Sequence, residues 1–308
     1  MNNSVPPLCD RRAPGNPVGP RKPGAHLIST KEENGMAKIK GENTLVEILQ
    51  IKQATATFYI LGNSPLLMNR MPKKTKEWLL LPPKRTNRAG REAVLKHDPI
   101  AEYRDSIYQC RDESAPTLVH VPDGAFKAAM AQAAIDIPGA TKAEIGRLVQ
   151  QANQTVFIYG TPYLDMQIVR QAGINRAPDL RTRALFPQWA CELKLIYYPN
   201  LIIERNVLNL LAAAGMITGI GDGRPEKGKK SNGQWEIVSA DNKDYRSILK
   251  QGRKVQEAAM ANPVASNFET EELLSWYQAE IIHRTDEGNQ PKSKPKGRRN
   301  GEGPEVRA

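Results

Sequence analysis

Leu208-Asn-Leu-Leu-Ala-Ala-Ala-Gly-Met-Ile-Thr-Gly-Ile-Gly-Asp-Gly-Arg-Pro-Glu-Lys-Gly-Lys-Lys-Ser-Asn-Gly-Gln-Trp-Glu-Ile-Val238 reads as a short apolar helix, a glycine-studded basic loop and a strand. Gly215, Gly219, Gly221, Gly223, Gly228 and Gly233 stand among Arg224, Lys227, Lys229 and Lys230. Such a backbone can adopt positive φ and approach a ligand closely while cations surround it. The combination points to an anionic, backbone-shaped partner.

Two nucleotide motifs nearly match this loop, and both fail. Gly223 to Gly228 followed by Lys229 has P-loop spacing, but Lys230 stands where a Ser or Thr hydroxyl would hold magnesium. A P-loop leaves a strand and enters a helix; here a helix leads into a strand, so no helix N-terminus faces a phosphate. Gly219-Ile-Gly221 opens like a dinucleotide fingerprint, but Arg224 replaces its third glycine.

Upstream of the loop, residues 202–214 form a predicted helix with Ile203, Val207, Leu210, Leu211 and Ala214 on one stripe and Gly215 as its stop. Before it, Trp189, Cys191, Leu193, Leu195 and Tyr197 alternate with Glu192 and Lys194, the clearest half-buried strand in the chain. Residues 170–184 read as a basic connection carrying Arg170, Arg176, Arg181 and Arg183. Val156–Tyr159 and Leu164–Val169 are strand candidates around the turn Gly160-Thr-Pro. Further back, Thr141–Gln150 is a short helix, and Pro122–Ala134 a helix with Phe126, Ala129, Met130 and Ala133 on one face. Leu118–Val121 is a short strand, Asp98 caps a helix that opens with Pro99, and Leu45–Leu61 supplies one or two strands. Residues 62–97 form an insert whose Lys73, Lys74, Lys76, Lys84, Arg85, Arg88, Arg91 and Lys96 surround Trp78. That content is too basic and too broken for core; it suits either a solvated loop or an extension facing nucleic acid.

The order is strand, helix, strand or hairpin, strand, helix, glycine loop, strand. This β-α-β-β-α-β succession predicts an α+β, ferredoxin-like antiparallel sheet with long basic inserts over residues 36–240. Residues 1–35, rich in Pro, Gly, Asn and Arg, are expected to be disordered, and Met36 reads as a second start because a purine-rich stretch can encode Lys31-Glu-Glu33. Residues 241–284 are polar and then helical over Phe268–His283; residues 285–308 read as a disordered arm with Lys292, Lys294, Lys296, Arg298 and Arg299.

The chain has 308 residues and a formal net charge of +11, which points to nucleic acid or another polyanion. Cys9, Cys110 and Cys191 are too few and too scattered for a disulfide framework or a zinc knuckle. His26, His97, His120 and His283 show no metal-ligand spacing, so no metal or cofactor is expected. The sparse cysteines favour a cytosolic setting, and no apolar run approaches bilayer length, which favours a soluble protein.

A domain of this order whose second helix runs into Gly219-Ile-Gly-Asp-Gly-Arg-Pro-Glu-Lys-Gly228 resembles the RAMP superfamily, the RNA-binding subunits of CRISPR complexes. Ser64-Pro-Leu66 and the basic inserts also look like the backbone subunits of those complexes. With Arg181-Thr-Arg183 and Trp189 added, the pattern resembles a group of bacteriophage proteins, which would place the chain in a bacterial host cytoplasm. The resemblance spans about residues 44–240. It implies a protein that wraps single-stranded RNA or DNA along a groove, often in a homo-oligomeric filament or a multisubunit assembly.

The expectation is therefore a single-strand-binding protein without catalysis. Gly219, Gly221, Gly223, Arg224, Lys227, Lys229 and Lys230 form one side of its site, with Arg170, Arg176, Arg181 and Arg183 opposite. Trp78, Tyr198 or Trp235 would stack on bases if exposed. Two alternatives stay open. One is an endonuclease using Asp165, Asp179 and Asp222 with a metal, or His120 without one. The other is a phage structural protein or a mimic of a host complex.

Overall fold

The computed structural model describes residues 48, 50–81, 97–122, 124–170, 176–228 and 230–289. The expectations for residues 1–36, Val46, the cations at 84–96, Lys229, the arm beyond 289 and the side chain of Trp78 lie outside what is described.

In chain order the elements are β1 (Ala54–Gly62), β2 (Leu66–Leu67), α1 (Lys73–Leu80), α2 (Pro99–Asp105), β3 (Tyr108–Gln109), β4 (Val119–Pro122), α3 (Ala125–Ala133) and α4 (Lys142–Leu148). There follow β5 (Val149–Gln151), β6 (Thr155–Phe157), β7 (Tyr163–Arg170), β8 (Pro178–Phe186), β9 (Ala190–Tyr197) and α5 (Glu204–Ile217). The last are β10 (Trp235–Val238), α6 (Lys243–Leu249), α7 (Arg253–Ala261) and α8 (Phe268–Asn289). The architecture is mixed α and β with several antiparallel sheets.

The central sheet has the order β10-β1-β9-β5, and each neighbouring pair is antiparallel. Alternation explains its two faces. Ala56, Phe58 and Ile60 of β1 and Cys191, Leu193, Leu195 and Tyr197 of β9 point into the main core. Against them pack Phe126, Ala129, Met130 and Ala133 of α3 and Val207, Leu210, Leu211 and Ala214 of α5. Trp235 of β10 meets Phe126 edge to face at a centroid distance of 5.1 Å. On the opposite face, α6 covers Leu61 and Ala190 with Tyr245 and Ile248.

Two further sheets flank this layer. One has the order β2-β8-β7, with β7 and β8 a hairpin in register from Tyr163↔Leu185 to Arg170↔Pro178. α2 closes the part of the β8 edge that β2 leaves open: the Thr182 amide donates to the Glu102 carboxylate at 3.3 Å and the Ala184 amide to the Ser106 hydroxyl at 2.9 Å. The other sheet is β3-β4-β6. The fully buried Gln256 of α7 clamps it, accepting from the Leu118 and Val119 amides and donating to the Ile158 and Gly160 carbonyls.

Several sequence expectations are corrected. Residues 170–184 are not a connection. Leu180, Thr182, Ala184 and Phe186 alternate on the inner side of β8, a period-two signal hidden because Thr and Ala do not read as apolar. Val156–Tyr159 and Leu164–Val169 do not pair with each other; they enter different sheets. The fourth strand of the central sheet is instead β5, folded into the end of the predicted helix Thr141–Gln150, which stops at Leu148. Gly215 does not stop α5, which runs on to Ile217. A Cβ at Gly215 would lie 2.2 Å from the Trp235 carbonyl oxygen, so the glycine lets the helix seat directly on β10. Ile203 is an exposed N-cap residue and not part of the buried stripe. Ile48 and Ile51 are exposed and precede the strand. The insert contains a helix, α1, and the polar stretch after Val238 contains two, α6 and α7.

Candidate nucleic-acid interface

The glycine loop between α5 and β10 is stitched to itself and to its neighbours. The Ile220 amide donates to the Gly233 carbonyl at 3.0 Å and the Asn232 amide to the Gly223 carbonyl at 3.1 Å, giving the loop a narrow two-limbed form. Its limbs then dock on β2 and the turn before it, with the Asp222 amide on the Leu67 carbonyl of β2 at 2.9 Å and the Gly233 amide on the Pro65 carbonyl at 2.8 Å. Gly219, Gly221 and Gly223 have φ of 69°, 78° and 68°, as the loop's sequence predicts. The space beside the loop's glycines is filled by the protein itself: a Cβ would fall 2.6 Å from the Leu67 carbonyl oxygen at Gly221 and 1.9 Å from the Ile220 carbonyl oxygen at Gly233.

Several of the predicted cations serve the same internal purpose. Arg224 donates to Glu226 at 2.6 Å and to the Gly221 carbonyl at 3.1 Å. The hydrogen bond from Arg224 holds the Glu226 carboxyl below its ordinary range, and the charges of Arg224 and Lys227 add to the effect. Lys227 is exposed, with its ammonium 3.5 Å from Glu226. Arg183 of β8 is buried and reaches across to pair with Asp222 of the loop, which joins the loop to the flanking sheet. Its Nε has no partner.

The remaining described cations lie on the surface. Lys230 is exposed and donates to the Gln167 side-chain oxygen on β7. Gln167 is the register partner of Arg181, and directly opposed residues of an antiparallel pair share a face. Arg181 is exposed, as are Arg170 and Arg176 toward the far end of the hairpin. Arg176 carries a positive φ of 42°, unlike the other described non-glycine residues.

Beside Arg181 a groove of about 590 Å³ separates α2 and β8 from residues 69–75. Arg70, Arg181 and Arg183 line it together with Asp98, Glu102, Asp105 and Asp179, so its charge is mixed. His97 stands within it, Nδ1 at 2.8 Å from Glu102 and Nε2 at 3.2 Å from Asp179, and its carbonyl accepts from the Tyr277 hydroxyl at 3.0 Å. No local spacing reveals this cluster, because the partners of His97 lie on α2 and 82 residues away on β8.

The carboxylates weighed for metal chemistry are dispersed. Asp165 is buried and accepts from Ser266 at 2.6 Å and from Gln167, Asp179 faces His97, and Asp222 holds Arg183. No group of three His, Cys, Asp or Glu residues suited to a metal ion occurs among the described residues. His120 is half-buried on β4 beside Tyr108, with its Nδ1 unpartnered. Of the expected stacking residues, Trp235 is fully buried. Tyr198 is half-buried and accepts from Gln150 at 3.4 Å. Among the described residues no helix is long and apolar enough to cross a membrane. Comparison with known families finds no family model that matches the chain, and no curated protein is similar to it.

Proposed function

We propose that the protein binds single-stranded nucleic acid along a strip made by the β7–β8 hairpin and the exposed Lys227 and Lys230 of the glycine loop. Arg170, Arg176, Arg181, Lys227 and Lys230 act as phosphate contacts, and the unstructured partner supplies the shape. One observation carries the reading: Lys230 bonds Gln167, the register partner of Arg181, so cations about 50 residues apart in sequence share one surface. The positive φ of Arg176 adds an unusual backbone conformation beside that strip, of the kind found at functional sites.

The order β10-β1-β9-β5, with α3 and α5 on one face, supports reading the central sheet as ferredoxin-like, since that is the order expected of β-α-β-β-α-β. The loop between the second helix and last strand supports the resemblance to the RAMP superfamily and, through it, a bacteriophage source and an oligomeric or multisubunit state. The open face of the sheet is the weaker candidate surface. It presents Thr55, Thr57, Glu192 and Glu236, and its Lys194 is 3.0 Å from Glu192. Titration with RNA and with DNA distinguishes the two ligands, and the length of the labelled strand after incubation with and without divalent metal reports any cleavage.

Full-length protein titrated into labelled single-stranded RNA and DNA across a salt series tests the reading. Affinity should fall linearly with salt on logarithmic axes, with a slope set by the phosphates contacted. No binding at low salt, or binding indifferent to salt, would reject it.

A further inference from the structure

A second cleft, of about 250 Å³, lies beneath α8, against the side of the hairpin that carries Met166 and Leu180. Leu273, Trp276, Tyr277 and Ile281 form its upper wall. The volume is below the range of pockets that hold a whole drug-sized ligand, so it suits a single ring system. Three features select the kind of ring. Trp276 is 63% exposed, a large aromatic surface available to a ligand. Tyr277 is fixed by its hydrogen bond to the His97 carbonyl, which makes a rigid wall. At the rim, Glu280 and Arg284 are joined at 2.6 Å and offer an acceptor and donors side by side.

Leu180 and Arg181 are successive residues on opposite faces of β8, but the cleft shares His97 and Leu180 with the groove that Arg181 lines, so the two meet around the β8 edge beside His97. We propose that the cleft beneath α8 takes one unpaired nucleobase of the bound strand, stacked on Trp276 with its polar edge toward Glu280 and Arg284. This rests on the single-strand reading for its biological use, but the chemistry recognised is the base, which can be probed alone.

The test uses full-length protein with two ligands: uncharged nucleosides, and single-stranded oligonucleotides in a salt series. Nucleosides should quench tryptophan fluorescence in the wild type and not in Trp276→Ala. For oligonucleotides, Trp276→Ala should weaken binding about ten-fold while leaving the salt slope unchanged, because stacking releases no counterions. Trp276→Phe should keep most of the affinity, which separates lost stacking from a fold defect. Oligonucleotide binding that Trp276→Ala does not alter, with no nucleoside quenching, would overturn the base pocket and leave the strip standing. Nucleoside quenching without oligonucleotide binding would keep the pocket and reject the strip. Self-association that Trp276→Ala abolishes, with no response to either ligand, would assign the cleft to a protein side chain instead and overturn the proposal.

Discussion

The glycine loop and the β7–β8 hairpin are both rich in cations, yet they hold that charge in opposite ways. In the loop, Arg224 is tied to Glu226 and to a backbone carbonyl, and Asp222 takes the one hairpin arginine that is buried. On the hairpin, Arg170, Arg176 and Arg181 stand exposed. Around Arg224 and Asp222 the loop uses charge and glycine to build a shape, and among its described cations only Lys227 and Lys230 stay exposed as the hairpin arginines do. A basic, glycine-rich sequence therefore identifies a tightly built loop before it identifies a ligand site, and only the pairing of each cation separates the two.

If the contrast is real, breaking the loop should cost stability and stripping the hairpin should not. The largest effect belongs to Gly233→Ala, which forces a Cβ onto the Ile220 carbonyl at a φ of 69°. It should destabilise the fold by about 3 kcal/mol or more, read as a shift in the urea midpoint. Alanines at Arg170 and Arg176 should stay within about 0.5 kcal/mol of wild type. A Gly233→Ala midpoint equal to that of wild type would mean that the loop is far looser than its hydrogen bonds indicate.

Next comes Asp222→Ala, which leaves Arg183 buried without its carboxylate. Losing one partner of a buried pair costs about 3–5 kcal/mol. The Asp222 side chain is 40% exposed, so about 2 kcal/mol is expected. Changing Arg183→Met in the same chain should recover most of that loss. Equal stability of the single and double variants would show that the ion pair does not join loop to hairpin.

The smallest effect is in pH. The Glu226 carboxyl is held below its ordinary value of 4.5 by Arg224, so its stabilisation is complete above that value and is lost as pH falls through the folded value. The side chain is 20% exposed, and under about 1 kcal/mol is at stake. Urea midpoints should fall less steeply for Glu226→Gln than for wild type between about pH 6 and about pH 3. Parallel curves would show that the Arg224 bond does not persist in solution.

Much of the central layer is legible in the sequence. Cys191, Leu193, Leu195 and Tyr197 alternate plainly, and Phe126, Ala129, Met130 and Ala133 recur at helical spacing, so β9 and α3 follow from pattern alone. β8 is hidden because its inward positions include Thr182 and Ala184 while its arginines advertise a loop. β5 is hidden because three residues are too few to show a period. The candidate surface is partly legible: the cation types can be read, but whether Arg183 or Arg181 is free depends on Asp222, which lies 39 residues from Arg183. The His97 cluster and the cleft beneath α8 depend on contacts between distant elements and leave no local signal.

The central claim is that the exposed cations of the hairpin meet the nucleic acid and that Arg224, held by Glu226 and the Gly221 carbonyl, does not. The most direct measurement compares single-strand affinity over a salt series for wild type, the Arg170→Ala, Arg176→Ala and Arg181→Ala triple variant, and Arg224→Ala, all as full-length folded protein. The account predicts that the triple variant loses affinity and about 0.7–0.9 of salt slope per cation removed, while folded Arg224→Ala keeps the wild-type slope. An unchanged slope in the triple variant, with a reduced slope in Arg224→Ala, would contradict it.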